Sequence, residues 1–338
     1  MSSAARYRAP EPSHERSWDM ARSEQLARSA VAGNVLADLA DEDERIAVLT
    51  ADLKFSNRTV DFERRHPERF LNVGIAEQHM VTMAAGMATV GYVPYVATFA
   101  SFVGLLCAEQ LRTDLAYPGL PVRVLAHHAG ISLGFYGTSH HATEDLGLLR
   151  AVANMTVVCP CDAASTEAAL RATVDHDGPI YFRLGRGRDP DVYAGAGDER
   201  FVVGRLATLR GGDDLTIVAN GVTVPAALEA AATLAAEGVE ATVLDAHTIR
   251  PFDGEALCAA AAGSGRLLVA EEHNVIGGLA SACADALVDG GVGDVRLARA
   301  GMPPDEYALI GPPTHLYRHY RLDAEGLAAR ARELLEQR

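Results

Sequence analysis

The sequence predicts an α/β protein with two consecutive domains, each with a mostly parallel sheet flanked by helices. Short apolar runs rich in β-branched residues alternate with longer segments of helical period, which is the pattern of repeated βαβ units. A stretch rich in Gly, Asp and Arg interrupts that alternation near the middle of the chain. The length of 338 residues suits two domains of ordinary size.

The first domain is expected at 21–190, after an N-terminal arm at 1–20 whose prolines favour a flexible conformation. Its buried strands are predicted at 46–49, 92–98, 122–126, 156–159 and 179–184. Its helices are predicted at 76–90, 101–116, 144–153 and 163–175.

A linker is expected at 191–213, where many Gly, Asp and Arg residues replace the apolar periodicity. The second domain then occupies 214–338. Its strands are predicted at 215–219, 241–244, 267–270 and 295–298. Its helices are predicted at 224–236, 254–262, 277–288 and 323–336.

Composition excludes several classes of function. With 45 acidic and 30 basic residues the chain carries a net charge of −15, which argues against binding to nucleic acid or to an anionic membrane surface. No apolar run reaches the roughly 18 residues of a membrane span. Five scattered cysteines do not form a disulfide framework, so a reducing cytoplasm is expected. The absence of GxGxxG and of GxxxxGK[ST] argues against a dinucleotide or P-loop site.

Residues 71–79 read LNVGIAEQH, an extended segment that passes through a glycine into an apolar helix. Glu77 falls near the first turn, where a carboxylate interacts favourably with the helix N-terminus. Dry surroundings would instead raise the pKa of Glu77 and suit it to proton transfer. The residues alone leave both interpretations open.

Phe99 and Phe102 lie in TFASF, at helical spacing just beyond a predicted strand. Such an aromatic pair commonly belongs to the core. At the carboxyl end of a parallel strand it could equally sandwich a planar ring, because open α/β sheets bind ligands at that edge.

Two histidine pairs, His127 with His128 and His140 with His141, flank a glycine-bearing loop. Zinc is one interpretation, but the pairs lack metal-ligand spacing and no cysteine joins them, so no metal site is predicted. A polar channel that holds substrate hydroxyls or phosphate fits these imidazoles better.

Arg183 lies at the end of the strand predicted at 179–184, and Arg186 and Arg188 follow it. They could simply be solvated. Guanidinium groups at the mouth of a parallel sheet are also suited to bidentate recognition of phosphate, which makes this position a candidate phosphate site.

Several stretches occur in a characteristic order: TADLKFSN at 50–57, NVGIAEQH at 72–79, YVATFASFV at 95–103, GTSHH at 137–141, and RPFDGEAL with VAEEHNVIGGL in the second half. In order and spacing they resemble the transketolase family of thiamine-diphosphate enzymes. The resemblance spans the family's pyrimidine-binding domain and its C-terminal domain, and covers nearly the whole chain after about residue 20.

The resemblance implies a split enzyme, since the family's diphosphate-binding domain with its GDG motif is not found in this sequence. The implied cofactors are thiamine diphosphate and Mg²⁺, with the metal and the diphosphate held mainly by a partner. That partner is an N-terminal transketolase subunit, in an α2β2 heterotetramer in which this chain also self-associates through both domains. The implied substrates are sugars or sugar phosphates.

The resemblance also implies roles for individual residues. Glu77 would hydrogen-bond the cofactor's aminopyrimidine and act in catalysis, Phe99 and Phe102 would pack on that ring, and Asp52 would lie near it. His140 is the implied catalytic histidine on the substrate side. The implied substrate and phosphate contacts are His128, Ser56, Arg186 and, in a poorer register, Arg28.

Two positions depart from the family pattern. Tyr136 stands where ordinary transketolases carry an acidic residue that contacts a sugar hydroxyl, so Tyr136 is a candidate substrate contact. Leu105 stands where they carry a tyrosine. The implied reaction is transfer of a two-carbon ketol unit from a ketose or ketose phosphate to an aldose, with a donor or acceptor that can differ from the usual pentose phosphates.

Four alternatives accompany this interpretation: the β subunit of a 2-oxo-acid dehydrogenase E1, a deoxyxylulose-phosphate-synthase-like enzyme, an acyloin-forming carboligase, and a non-catalytic subunit. The TADLKFSN and GTSHH stretches resemble transketolase more than the E1 subunit. The presence of Glu77 together with both phenylalanines argues against a subunit without catalytic function.

Overall fold

A computed structural model describes residues 31–187, 189–195 and 197–336. The N-terminal arm expected at 1–20 lies outside the described residues, as do Arg28 and Arg188. Two mostly parallel sheets flanked by helices confirm the predicted fold class.

The first sheet has seven strands in the order β10-β5-β6-β4-β3-β1-β2. Its parallel strands are β1 (Ile46–Thr50), β2 (Phe70–Asn72), β3 (Val93–Phe99), β4 (Arg123–His127), β5 (Thr156–Val158) and β6 (Ile180–Arg183). Strand β10 (Thr248–Arg250) is antiparallel to β5. Strands β1, β3, β4 and β6 are buried along their whole length, because helices cover both faces of the sheet.

The helices of this domain surround the sheet. They are α1 (Ala32–Glu42), α2 (Val60–Arg65), α3 (Glu77–Thr89), α4 (Ala108–Gln110), α5 (Asp145–Leu149) and α6 (Ala163–Ala172). The helix predicted at 101–116 is interrupted, since π-helical turns at Phe102–Leu106 and Leu111–Ala116 flank α4. Such turns are rare in proteins overall, and those that do occur are often found at functional sites. The sequence did not predict α1, α2 or β2.

The second sheet has five strands in the order β12-β11-β8-β9-β7. The strands are β7 (Ala207–Arg210), β8 (Leu215–Ala219), β9 (Ala241–Asp245), β11 (Arg266–Asn274) and β12 (Arg296–Met302). The helices are α7 (Thr223–Ala235), α8 (Gly254–Ser264), α9 (Leu279–Asp289), α10 (Pro313–His319) and α11 (Ala324–Glu336). The sequence predicted the parallel strands and missed β7, β10 and α10.

The two domains interlock more than the sequence suggested. Strand β7 lies within the segment 191–213 that was predicted to be a linker, and it pairs with β9 in the second sheet. Strand β10 comes from the second half of the chain but completes the first sheet beside β5. The segment predicted to be a linker therefore contains a strand. The limits of the two domains stay a prediction.

A buried carboxyl group lies at the end of β9. The hydroxyl of Tyr193, on the segment between the domains, donates a hydrogen bond of 2.8 Å to Asp245. Burial raises the pKa of Asp245 to about 7. The protonation of Asp245 therefore makes the stability of this packed segment depend on pH.

Asp245→Asn tests this coupling. A carboxyl group whose pKa is raised in the folded protein stabilises the fold below its unfolded pKa of about 4, and that contribution is lost as the pH rises through 7. The stability of the wild type relative to Asp245→Asn should therefore fall between about pH 4 and 7, by at most about 1.4 kcal/mol per pH unit. Urea unfolding at several pH values measures it. A pH-independent difference would contradict the assignment.

Candidate active site

The predicted site residues gather at the carboxyl edge of the first sheet. Asp52 follows β1, Phe99 ends β3, and His128 follows β4. Phe99 and His127 are register partners on neighbouring strands. Open α/β sheets bind ligands in the crevice outside the carboxyl ends of their strands, so the topology places these side chains where a ligand would bind.

Glu77 is the first residue of α3. The turn before it is tied to the end of β1, because the Asn72 side-chain oxygen accepts from the backbone N–H groups of Asp52 at 3.0 Å and Gly74 at 3.1 Å. Gly74 has φ +74°, a left-handed conformation that favours glycine. This turn brings Asp52 next to the segment that leads into Glu77.

The Glu77 side chain is buried, with an exposed fraction of 6%. Helix α3 buries Met80 and Val81 just beyond it. The side-chain amide of the next residue, Gln78, donates to the backbone carbonyl of Leu106 at 3.0 Å, so the start of α3 lies against the π-helical turn that begins at Phe102. The Glu77 carboxyl group thus lies at the N-terminus of a helix, in an environment from which water is largely excluded.

An aromatic cluster surrounds the two phenylalanines. The ring centroids of Phe99 and Phe102 lie 5.5 Å apart, and Phe99 lies 4.6 Å from His128. His140 lies 5.2 Å from Phe102 and 4.9 Å from Tyr136. The fold therefore brings these aromatic side chains into one cluster, although they come from different secondary-structure elements. The phenylalanine pair belongs to this cluster as well as to the edge of the core.

His140 is partly buried within this cluster, and the hydroxyl of Ser139 lies 2.9 Å from its Nδ1. Burial lowers the pKa of His140. The imidazole is therefore neutral at pH 7, and a neutral imidazole can accept a proton from a hydroxyl group.

His128, Ser56 and Arg186 line one small cavity. His128 has φ +58°, a strained conformation for a residue with a side chain. His127 lines the same cavity, and burial lowers its pKa to about 4, so it is neutral. The residues that the resemblance assigned to phosphate contacts are thus brought together, apart from Arg28, which lies outside the described residues.

Arg183 does not face this cavity. It is buried, its Nε lies 3.0 Å from an Asp145 carboxylate oxygen, and its Nη2 donates to the backbone carbonyls of Ala142 and Glu272 at 2.9 and 2.8 Å. Neither interpretation offered by the sequence, a solvated arginine or a phosphate ligand, describes it. Arg183 instead links the first domain to β11.

The sequence also missed a residue that contacts the histidine-bearing loop. Glu272 accepts hydrogen bonds from the backbone N–H of Ile131 and from the hydroxyl of Tyr317. The VAEEHNVIGGL stretch contains Glu272 and contributed to the resemblance, but nothing in it indicated which residue it would contact.

The described part of the chain also bears on metal binding and membrane insertion. No group of three or more His, Cys, Asp or Glu residues there is arranged to hold a metal ion. In the same residues, no helix has the length and apolar character required to cross a bilayer.

A buried carboxyl group and an aromatic cluster at the carboxyl edge of a parallel sheet define an α/β enzyme with a ligand site there. Two family models match the chain: "Transketolase, pyrimidine binding domain" at residues 24–190 and "Transketolase, C-terminal domain" at residues 204–327. The chain belongs to the transketolase family, a family of transferases.

Relatives of similar length support the same conclusion. A putative transketolase C-terminal section from Methanocaldococcus jannaschii is 36% identical over 301 residues, which are 89% of this chain and 94% of the relative. One of the subunits of an apulose-4-phosphate transketolase from Phocaeicola vulgatus is 37% identical over 303 residues, 90% of this chain and 96% of the relative.

A solved structure described as a split gene transketolase, inactive beta4 tetramer, is 40% identical, with a TM-score of 0.79 over 90% of this chain and 96% of that one. These identities and coverages confirm the predicted similarity to the C-terminal section of a split transketolase. By contrast, the chain spans 47% of the length of 1-deoxy-D-xylulose-5-phosphate synthase 1 from Geobacter sulfurreducens, at 38% identity over 301 residues.

The protonation state of His140 can be measured directly. Because burial disfavours its charged form, the imidazole should titrate below the ordinary histidine midpoint of about 6.5 and be neutral at pH 7. NMR titration of histidine-labelled protein, with His140→Asn to assign the signal, measures this midpoint. A midpoint at or above that of a free histidine would contradict the burial of the ring.

Proposed function

We propose that this chain acts as the C-terminal subunit of a two-chain, thiamine-diphosphate-dependent transketolase that transfers a two-carbon ketol unit from a ketose or ketose phosphate to an aldose. The observation that carries the proposal is the buried carboxyl group of Glu77 at the start of α3, which lies beside the segment that bears Phe102. The family membership supplies the class of reaction.

The residues at this edge fit an aminopyrimidine ring. The Glu77 carboxyl group can exchange a hydrogen bond and a proton with a ring nitrogen, and a hydrogen bond in dry surroundings is stronger than one in water. The faces of Phe99 and Phe102 offer an apolar surface on which a planar ring can stack. The chemistry that bound thiamine diphosphate supplies is that of an electron sink for the cleaved carbon–carbon bond.

The substrate side is formed by the histidines. Neutral His140 can accept a proton from a substrate hydroxyl group and return it when the new bond has formed. Ser56, His128 and Arg186 line the cavity suited to the phosphate end of the sugar. Asp52, which is tied to the turn that leads into Glu77, would lie on the cofactor side of the site.

A partner subunit would complete the site. Exposed apolar side chains lie beside the candidate site: Ile75, two residues before Glu77, is 84% exposed, Leu106, beside the start of α3, is 55% exposed, and Tyr136, beside His140, is 60% exposed. Apolar surface beside a polar site is typical of an interface with another chain. We infer that an N-terminal transketolase subunit covers this surface in an α2β2 assembly and holds Mg²⁺ and the diphosphate, since the chain matches only the pyrimidine-binding and C-terminal domains of the family.

The donor or the acceptor sugar is expected to differ in part from those of ordinary transketolases. Tyr136 contacts the His140 ring where the family pattern has an acidic residue, so it places an aromatic face rather than a carboxylate beside the substrate histidine. We place the reaction in the cytoplasm, where the five free cysteines would stay reduced.

Glu77→Gln tests the proposed role of the carboxyl group. In the pair reconstituted with the N-terminal subunit, kcat should fall by at least about 100-fold, because a positioned acid–base group typically contributes that much or more. Cofactor affinity should weaken less. Steady-state kinetics and titration calorimetry measure the two effects.

The matched control is Glu109→Gln, which alters an exposed carboxylate on α4 that pairs with Arg112. Its kinetics should equal those of the wild type. Full activity in Glu77→Gln would refute the catalytic assignment.

Donor class separates the proposed reaction from its relatives. The pair should transfer a ketol unit from a ketose phosphate such as xylulose 5-phosphate to an aldose, and it should not use pyruvate in place of that donor. Coupled assays with each donor, with the same aldose phosphate as acceptor, measure the rates. Turnover with pyruvate and the aldose phosphate, but not with the ketose phosphate, would instead favour a deoxyxylulose-phosphate-synthase-like reaction.

A further inference from the structure

The loop at residues 131–141, called here the histidine loop, carries Tyr136, His140 and His141. An antiparallel bridge closes its two ends, since the backbones of Gly130 and Ala142 exchange hydrogen bonds of 3.0 and 2.9 Å. The position of His140 relative to Phe102 therefore depends on where this bridge is held.

Glu272 holds the entering end of the loop. This residue belongs to β11 in the second domain and is 1% exposed. Its Oε1 accepts from the backbone N–H of Ile131 at 2.8 Å and from the hydroxyl of Tyr317 at 2.6 Å. Gly130 permits the approach, because a Cβ atom at that position would overlap the Glu272 carboxyl group.

The leaving end of the loop is held by the same strand. Arg183 Nη2 donates both to the carbonyl of Ala142, at 2.9 Å, and to the backbone carbonyl of Glu272, at 2.8 Å. The backbone N–H of Asn274 donates to the carbonyl of Thr143 at 2.8 Å. Both ends of the histidine loop are thus fixed to β11, within three residues of one another in that strand.

We propose that Glu272 is a positioning residue, through which the second domain sets the placement of His140 at the active site. Its effect on catalysis rests on the proposed transketolase function, whereas its effect on the loop does not. Glu272 has no contact with substrate in this scheme and acts through the loop backbone. Tyr317, on α10, in turn orients the Glu272 carboxyl group.

The proposed effect of Glu272 depends on the two hydrogen bonds that its carboxylate accepts. Replacing the Glu272 side chain by one without an acceptor leaves the N–H of Ile131 and the hydroxyl of Tyr317 without this partner, and such groups are costly to bury unpaired. The loop can satisfy them by moving toward water. A displacement of about 1 Å at a catalytic group commonly reduces the rate by about 100-fold.

Four variants in the full chain test the proposal. Glu272→Met has similar size but no strong acceptor, whereas Glu272→Gln keeps an acceptor oxygen and should rescue the loop. Tyr317→Phe removes one donor. Tyr193→Phe is the matched control, since it removes a tyrosine hydroxyl that donates to the buried carboxyl group of Asp245, away from the loop.

Hydrogen exchange followed by mass spectrometry measures the opening of the histidine loop independently of enzyme activity. Amides of 131–141 should exchange at least about tenfold faster in Glu272→Met and about three- to tenfold faster in Tyr317→Phe, as expected for loss of one or two buried hydrogen bonds. Glu272→Gln and Tyr193→Phe should stay within about threefold of the wild type. Should Glu272→Met fail to fold, Tyr317→Phe carries the comparison.

Kinetics of the reconstituted pair complete the test. Glu272→Met should lower kcat by about 10- to 100-fold, with rescue in Glu272→Gln and no effect of Tyr193→Phe. Unchanged loop exchange in Glu272→Met and Tyr317→Phe would overturn the proposal, and so would faster exchange with unchanged kcat, or a Gln variant as impaired as the Met variant. A wild-type pair that transfers no ketol unit would refute the proposed function, while hydrogen exchange would still decide whether Glu272 holds the loop.

Discussion

The arrangement of the active site depends on the buried ion pair between Arg183 and Asp145. Removing either partner would leave an uncompensated charge in the interior, so the pair strongly constrains both backbones. The hydroxyl of Tyr181 donates a further hydrogen bond of 2.9 Å to Asp145. Gly104, on the π-helical turn that begins at Phe102, packs directly against Asp145, because a Cβ there would lie 3.0 Å from the Asp145 Cβ. One buried pair therefore positions the turn that carries Phe102.

The same pair explains how two domains share one site. The candidate site residues of the first domain lie at the carboxyl ends of β1, β3 and β4 and at the start of α3. The second domain holds the histidine loop through backbone and carboxylate contacts from β11. Strand β10 reinforces this arrangement, since it joins the first sheet while its neighbours in the chain belong to the second. Neither domain would keep this geometry if it moved independently of the other.

Much of the fold followed from local sequence patterns. Strands buried on both faces read as continuous apolar runs, which is why β1, β3, β4 and β6 were found within about two residues. The grouping of Glu77, Phe99 and His128 was also predictable, because the carboxyl ends of parallel strands meet at one edge. The resemblance to transketolase then supplied roles that spacing could not.

Other features could not be predicted because they depend on contacts between distant parts of the chain. Glu272 and Ile131 are separated by 141 residues, and no local pattern predicts their hydrogen bond. Arg183 could not be distinguished from Arg186 by sequence, since both follow the same apolar run and only the fold determines which is buried. Strands β7 and β10 are short edge strands with weak periodicity, and the packing of Gly104, in the first π-helical turn, against Asp145 joins distant parts of the chain.

The proposed function requires contact between the Glu77 carboxyl group and the pyrimidine ring of a cofactor shared with a second subunit. The most direct measurement is a solved structure of the reconstituted pair with thiamine diphosphate and Mg²⁺. We expect a Glu77 oxygen within hydrogen-bond distance of a pyrimidine nitrogen, roughly 2.6–3.2 Å, with every protein ligand of the metal coming from the partner. A Glu77 side chain in open water, or a metal bound by residues of this chain, would contradict the proposed function.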